Sequence, residues 1–532
     1  MRRIAPAALP AVILAWLLAE APGAGAAIPD VRRSYELGQY FTAARIAFND
    51  ANRSNTPAEK AMSYAWAAHS LVKAGLDQSA LYFFIRTLQL RDRSATQKAL
   101  ELAPLFLERA GADFLKKFLI QYTRPEDYPA DARNALDLAM ARDRLIQGDD
   151  VGAVKAASQV APSNALYPLA LQIRGAAEVM QNQLPKALEN FKLCEQKASQ
   201  RDQVREVQSP EIAGKWIEFR QNASRDLGAR CVADQARVLY ELGSFEDADR
   251  RYDRIPKASF VWTDTLFEHA WNSYSRSEYN RALGKLVSYR SPSLRFVFNS
   301  EVEVLMAQSY LALCLYDDAA RVIEGYNREF GGLAKEVKAF LDANPGDARV
   351  YFTLGRKALQ ERLHSENRMN RFLNRFVRSP YFQALSLSFD RVAAERTAIQ
   401  RLDALHPETK TGPSAGFPGF LNAALDWRLR TIQLLGGVFV RNSMLDYYQI
   451  LISDLEKMQF MKIDSLSHQK KRLLDPSGAL ALERSRGNRA PERRDDQTLW
   501  AFNGEFWNDE IGDYVFALES ECGAAKEGVN AK

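Results

Sequence analysis

Few side chains in this 532-residue chain are spaced to do chemistry. The five histidines, His69, His269, His364, His406 and His468, lack the spacing of metal ligands. His69 and His269 fall on or beside helix faces that must pack, which predicts a structural role. No H-E-x-x-H, Walker loop, dinucleotide fingerprint or C-x-x-C occurs. One stretch, Gly412-Pro413-Ser414-Ala415-Gly416, has the form G-x-S-x-G. A nucleophile elbow needs a strand before its serine and a helix directly after, to strain the turn and expose the oxygen. Here the flanks are Lys410-Thr411 and Phe417-Pro418-Gly419, so the stretch reads as a loop. The acidic pairs Glu246/Asp247 and Asp317/Asp318 could be acid/base dyads, but at helix starts negative charge suits the macrodipole. The expectation is no catalytic residue, no bound metal and no cofactor.

Binding is better represented than catalysis. Arg368, Arg371, Arg375 and Arg378 recur at spacings of three and four, beside Phe372, Leu373, Phe376 and Val377. Such a stripe could lie on an anionic membrane surface, or form the solvated outer face of a packed helix. Near the end, Trp500, Phe502, Phe506, Trp507, Tyr514 and Phe516 put six aromatics within 17 residues. Aromatics this dense must dock on something, either the protein's own long helices or a partner. The alternation Tyr514, Phe516, Leu518 suits a short strand.

The elements that carry these residues follow a repeat. A turn-tolerant residue is followed two on by an apolar or acidic residue, and three later by an alanine. Copies are Gly38-Tyr40-Ala43, Gly75-Asp77-Ala80, Gly148-Asp150-Ala153, Asn182-Leu184-Ala187, Gly243-Phe245-Ala248, Ser277-Tyr279-Ala282 and Cys314-Tyr316-Ala319. The alanines are 37, 73, 34, 61, 34 and 37 residues apart. The 73 is two periods with a degenerate unit near Ala99 to Leu119, and the 61 is one period plus an insertion. An apolar stripe at helical spacing precedes the turns, as in Tyr64, Ala67, Ala68 and Leu71. Each unit therefore reads as helix, tight turn, helix, with the alanine where two helices cross closely.

This pattern resembles the tetratricopeptide repeat superfamily over about residues 29 to 330. The resemblance implies an all-α, right-handed superhelical solenoid with a concave surface for partners. Residues 259 to 330 and the tail also resemble a group of exported bacterial tetratricopeptide proteins. Matching elements include Trp262, Ala282-Leu283-Gly284, Ser291-Pro292 and Cys314, then Trp500 to Trp507, Asp509-Glu510-Ile511-Gly512 and Cys522. That group implies an envelope protein without supplying an activity.

Residues 1–26, with Arg2, Arg3, an apolar run and Ala24-Gly25-Ala26, read as a secretory signal peptide. No cysteine near its end permits lipid attachment, and no later segment has membrane-spanning length. Its removal takes the formal charge from +5 to +4, which argues against general nucleic-acid affinity. The organisation expected is a solenoid over 27–330 with a polar insertion at about 195–228, long helices over 331–474, a polar linker over 475–498, and an aromatic tail over 499–532. Gly436-Gly437 should be the weakest point of the last long helix. Four cysteines allow three full pairings, and Cys194 with Cys231 is the pair to test, two free thiols being the alternative. The functional expectation is a non-enzymatic periplasmic or secreted scaffold that binds envelope proteins through the repeat groove. Its alternatives are a peptidoglycan-associated enzyme or regulator, and a peripheral membrane protein using the arginine stripe.

Overall fold

A computed structural model describes residues 28–110, 112–198, 210–294, 296–361, 367–406, 416–474 and 505–522. Residues 1–26, expected as a signal peptide, residues 475–498, expected as a linker, Trp500 and Phe502 lie outside these, as do His364 and Ser414. The described residues are helical, without strands. The first helices are α1 (Ile28–Glu36), α2 (Tyr40–Arg53), α3 (Pro57–Lys73), α4 (Asp77–Gln89), α5 (Arg93–Leu100), α6 (Ala103–Ala110) and α7 (Ala112–Tyr122). Next come α8 (Ala130–Ile146), α9 (Asp150–Ala157), α10 (Tyr167–Met180), α11 (Leu184–Ala198), α12 (Pro210–Glu241), α13 (Phe245–Tyr252) and α14 (Phe260–Ser275). The remainder are α15 (Tyr279–Val287), α16 (Glu301–Ala312), α17 (Tyr316–Ala343), α18 (Ala348–Gln360), α19 (Arg368–Val377), α20 (Pro380–Leu405) and α21 (Phe417–Leu474). None is long and apolar enough to cross a membrane among the described residues.

One kind of turn recurs. Gly75 has φ +79°, its N–H donates to Val72 O at 3.0 Å, and Leu76 N–H reaches back to Leu71 O at 2.8 Å. This pair of bonds satisfies the last carbonyls of α3 and needs a left-handed residue at the corner. The Leu76 carbonyl then accepts from Ala80 N–H at 2.9 Å, opening α4. Gly38, Gly148, Gly243, Ser277 and Cys314 repeat the whole pattern, each with positive φ. Asn182 is also left-handed and donates to Val179 O, and Ala187 N–H bonds to Gln183 O. All seven alanines, Ala43, Ala80, Ala153, Ala187, Ala248, Ala282 and Ala319, are 0% exposed. Between Ala80 and Ala153 the degenerate stretch is three short helices, α5 to α7.

Several elements differ from expectation. Where described, the insertion at 195–228 lengthens the helices beside it: α11 runs to Ala198 and α12 starts at Pro210. Helix α17 runs through Phe330, where the solenoid was expected to end. Helix α21 is unbroken through Gly436-Gly437. Those glycines permit close packing: a Cβ on Gly437 would lie 1.9 Å from Ala348 O, and one on Gly436 2.5 Å from Phe352 Cδ2.

The chain forms two compact units that do not follow sequence order. The first is Met1–Asn182, Gln200–Asn222 and Gln383–Leu434; the second is Gln183–Ser199, Ala223–Phe382 and Leu435–Lys532. In the first, Phe417 and Phe420 of α21 lie 5.1 and 4.9 Å from Phe48, and Phe420 lies 5.5 Å from Phe83, ring to ring. Beside this aromatic core is a buried ionic knot. Asp77 accepts from Arg109 at 2.8 Å and from Arg391 Nε at 2.9 Å. Glu395 accepts from Gln78 N and Ser79 N at 2.7 and 3.0 Å, capping α4, while Arg428 Nε donates to Gln78 Oε1 at 2.9 Å. Burial alone would raise the Asp77 carboxyl, but Arg391 and Arg109 outweigh it and hold it below its ordinary range. Burial and neighbouring Asp77 push Glu395 well above its range, against the donors of α4. In the second unit, α11 and α12 are joined by the Cys194–Cys231 disulfide, and Gln235 of α12 donates to Phe191 O of α11 at 3.3 Å.

Two outcomes follow. Leucine at Ala248, which is 0% exposed, overpacks the α13 contact and should lower unfolding free energy by about 1–3 kcal/mol. Chemical denaturation reads this, with exposed Val151→Leu as the control; equal stability in both variants contradicts the close crossing. Asp50 is buried with neither carboxylate oxygen hydrogen-bonded, and burial pushes its carboxyl up to about 6, Arg53 opposing. Its contribution to stability is therefore full below its unfolded value near 4 and is lost as pH rises through about 6. Asp50→Asn should raise Tm by about 2–4 °C at pH 7 and leave it unchanged at pH 4, by scanning fluorimetry; equal shifts at both pH values refute the assignment.

Candidate functional site

The strongest site in the second unit is a seat for the chain's own tail. Helices α14 and α15 meet at the Ser277 turn, and two short 3-10 turns (Ser288–Arg290 and Pro292–Leu294) continue the surface. Residues 505–522 lie on it without forming a strand, contrary to the alternation at Tyr514, Phe516 and Leu518. Their main chain bonds to side chains and to a helix instead of to another strand. Asn280 O accepts from Phe516 N at 3.1 Å. The Asn280 side chain accepts from Leu518 N at 3.1 Å and donates to Leu518 O at 3.0 Å. Ser288 Oγ accepts from Gly512 N at 2.9 Å, and Leu313 O accepts from Glu521 N at 2.9 Å.

One aliphatic side chain fills the seat. Ile511 is 5% exposed against Leu266 and Leu294, with Trp262, Tyr289, Phe296 and Val297 around it. The aromatics do less: Trp507 is 63% exposed, and Phe506 packs edge-on against Tyr514 of the same tail at 5.9 Å. Lys257 Nζ reaches Asp509 O at 2.9 Å and the Asp513 carboxylate at 3.0 Å. Gly284 lets the tail approach α15, since a Cβ there would lie 1.7 Å from Tyr514 O. The Cys314–Cys522 disulfide fastens the far end. By chain entropy a bridge across a separation of 208 residues contributes about 5 kcal/mol. That is similar to the main-chain bonds together at about 1 kcal/mol each, so neither latch nor clamp dominates.

The arginine stripe falls elsewhere in this unit. Arg368 and Arg371 of α19 line a cavity of about 270 Å³ with Arg290, Glu303, Phe298 and Phe330. Arg371 pairs with Glu329 at 3.1 Å, Arg368 donates to Glu329 O at 3.3 Å, and Arg375 pairs with Asp264. Arg378 is half-buried, and burial pulls its guanidinium down. The stripe thus has ion pairs at Arg371 and Arg375 on one side, and Phe372, Leu373, Phe376 and Val377, all buried, on the other.

The described histidines pack against neighbouring side chains and backbone. His69 Nε2 bonds to Lys98 O at 2.7 Å, and burial lowers its ring. His406 lies 5.3 Å from Phe41 and His468 stacks on Tyr316 at 4.6 Å, ring to ring. His269 meets Asp249 at 2.5 Å, and Lys285 Nζ lies 3.3 Å from Ser273 Oγ. Burial lowers both His269 and Lys285. This group has the residue types of a catalytic site, yet Ser273 is 0% exposed and its hydroxyl donates to His269 O. No cluster that could hold a metal occurs among the described residues.

The sequence pointed to the tail through its aromatics, but the seat is made by residues with no motif. Asn280, Ser288 and Lys257 carry no local signal, Gly284 and Cys522 entered through the family resemblance, and Cys314 also as a repeat corner. Residues 505–522 bond to repeat helices α15 and α16 and the turns beside them. Gly284→Val should lift it: the Phe516 and Leu518 amides should lose at least tenfold of their protection in hydrogen exchange, with Tm falling only slightly. Unchanged protection would disprove the close approach. Comparison with protein-family models and with curated proteins finds no match to this chain.

Proposed function

We propose that this chain is a non-enzymatic scaffold of the cell envelope, a right-handed superhelix of tetratricopeptide-like hairpins that binds protein partners along its repeat surface. The observation that carries the reading is the seating of residues 505–522 as a non-helical peptide, turned at 508–513 and open beyond, with main-chain hydrogen bonds to the repeat helices. Recognition through main-chain hydrogen bonds with one side-chain slot is a common way to hold unfolded segments. The seven like turns with buried alanines support the hairpin reading. Two disulfides suit an oxidising compartment, which supports the periplasmic or secreted location expected from residues 1–26. The membrane alternative draws less support, because three of the four stripe arginines are engaged by acidic residues or their carbonyls.

Reversible crosslinking of the tagged chain in an envelope fraction tests the proposal. The expected result is co-recovery of one or a few proteins in fixed ratio, crosslinked to positions on α13 to α17. Recovery of nothing above background overturns it, and release of muropeptides by the purified chain would support the enzyme instead.

A further inference from the structure

We propose that the tail seat is an exchangeable peptide site. Opening of the Cys314–Cys522 bridge by an external dithiol frees it for a non-helical segment of a partner protein, turned at its anchor as residues 508–513 are and open beyond it. That segment carries, in succession, an aliphatic residue, a glycine and a carboxylate. This rests on the scaffold reading and names the partner chemistry and its control.

The tail itself is the template for the ligand. Ile511 supplies the aliphatic group, Gly512 the amide taken by Ser288, and Asp513 the carboxylate that meets Lys257. Five and seven residues beyond Ile511, the seat takes hold of the main chain. The Asn280 amide pairs with both the N–H and the C=O of Leu518, which every residue except proline offers. Nothing in the seat depends on the tail belonging to the same chain. Trp507 is exposed, so that aromatic side chain is not an anchor.

The two disulfides differ in access. Cys194 and Cys231 are each 0% exposed. Cys522 is exposed and Cys314 half-buried, so an external thiolate can reach the Cys522 sulfur. Attack there forms a mixed disulfide and expels Cys314 as a thiolate, which takes a proton. The second thiol of the reductant then displaces Cys522, which is protonated in turn. Two electrons and two protons pass to the bridge, and the dithiol leaves as a disulfide. The tail loses its fastening, while the α11–α12 bridge stays closed.

The test uses the full chain with Cys314→Ser, Cys522→Ser and Ile511→Asp, which empties the seat without altering it. Rapid hydrogen exchange at Phe516 and Leu518 should show the seat vacant. A labelled synthetic peptide of residues 505–520 should then bind saturably by fluorescence anisotropy, and at least tenfold more weakly to the oxidised native chain. Asn280→Ala in the emptied chain, or Ile511→Asp in the peptide, should each reduce binding at least tenfold. Mass spectrometry after brief dithiol treatment and alkylation should find Cys314 and Cys522 labelled before Cys194 and Cys231. Equal binding to the oxidised chain, indifference to Asn280→Ala, no binding to a vacant seat, or continued protection of the tail despite Ile511→Asp would each overturn the proposal. The crosslinking experiment can still succeed through another surface, so the two readings fail separately.

Discussion

A helix that ends must still satisfy its last carbonyls, and here that need is met in the same way at successive turns. A left-handed corner residue lets two amides fold back, and the next carbonyl starts the following helix four residues before a buried alanine. The corner thereby fixes which residue of the second helix faces the first. With the alanine at 0% exposure, the two backbones approach closely, and the larger residues on either side fill the core. A shift of one residue at the corner would turn the alanine away and bring a larger side chain into the crossing. Three of the corners, Asn182, Ser277 and Cys314, hold this conformation without being glycine, which shows how strongly the surrounding packing imposes it.

This local origin explains what could be read from the chain. Turn residue and alanine lie five residues apart, so their pattern survives in sequence. The ionic knot does not, because Asp77 meets partners 32 and 314 residues away and Glu395 meets Gln78 across 317. Each of these, taken alone, looks like a solvated charge. The helix through Gly436-Gly437 depends on distant partners in the same way. Glycine weakens an isolated helix, but against Ala348 and Phe352 it is the residue that fits. The expected strand at Tyr514 to Leu518 failed because alternation describes an extended chain, and the bonding partner here is an asparagine on a helix.

The tail joins the two levels of organisation. Asn280 and Gly284 lie on α15, one turn of helix apart, so the same helix face that closes a repeat also holds the peptide. Cys314 is both the corner residue of a repeat turn and the anchor of the tail. A structural position and a binding position thus coincide, and this limits the substitutions the repeat can accept there.

The knot has a consequence for how the chain is made. Its members span residues 77 to 428, so Asp77 and Arg109 leave the ribosome long before Arg391, Glu395 and Arg428. At about 5–20 residues per second the interval is roughly 20–70 s. Throughout it, the front helices carry charges whose partners do not yet exist, and the faces later covered by Phe417 and Phe420 stay uncovered. The first unit is therefore among the earliest parts of the chain to be synthesised and among the last able to close, and any factor that holds the nascent chain has most to protect at its beginning.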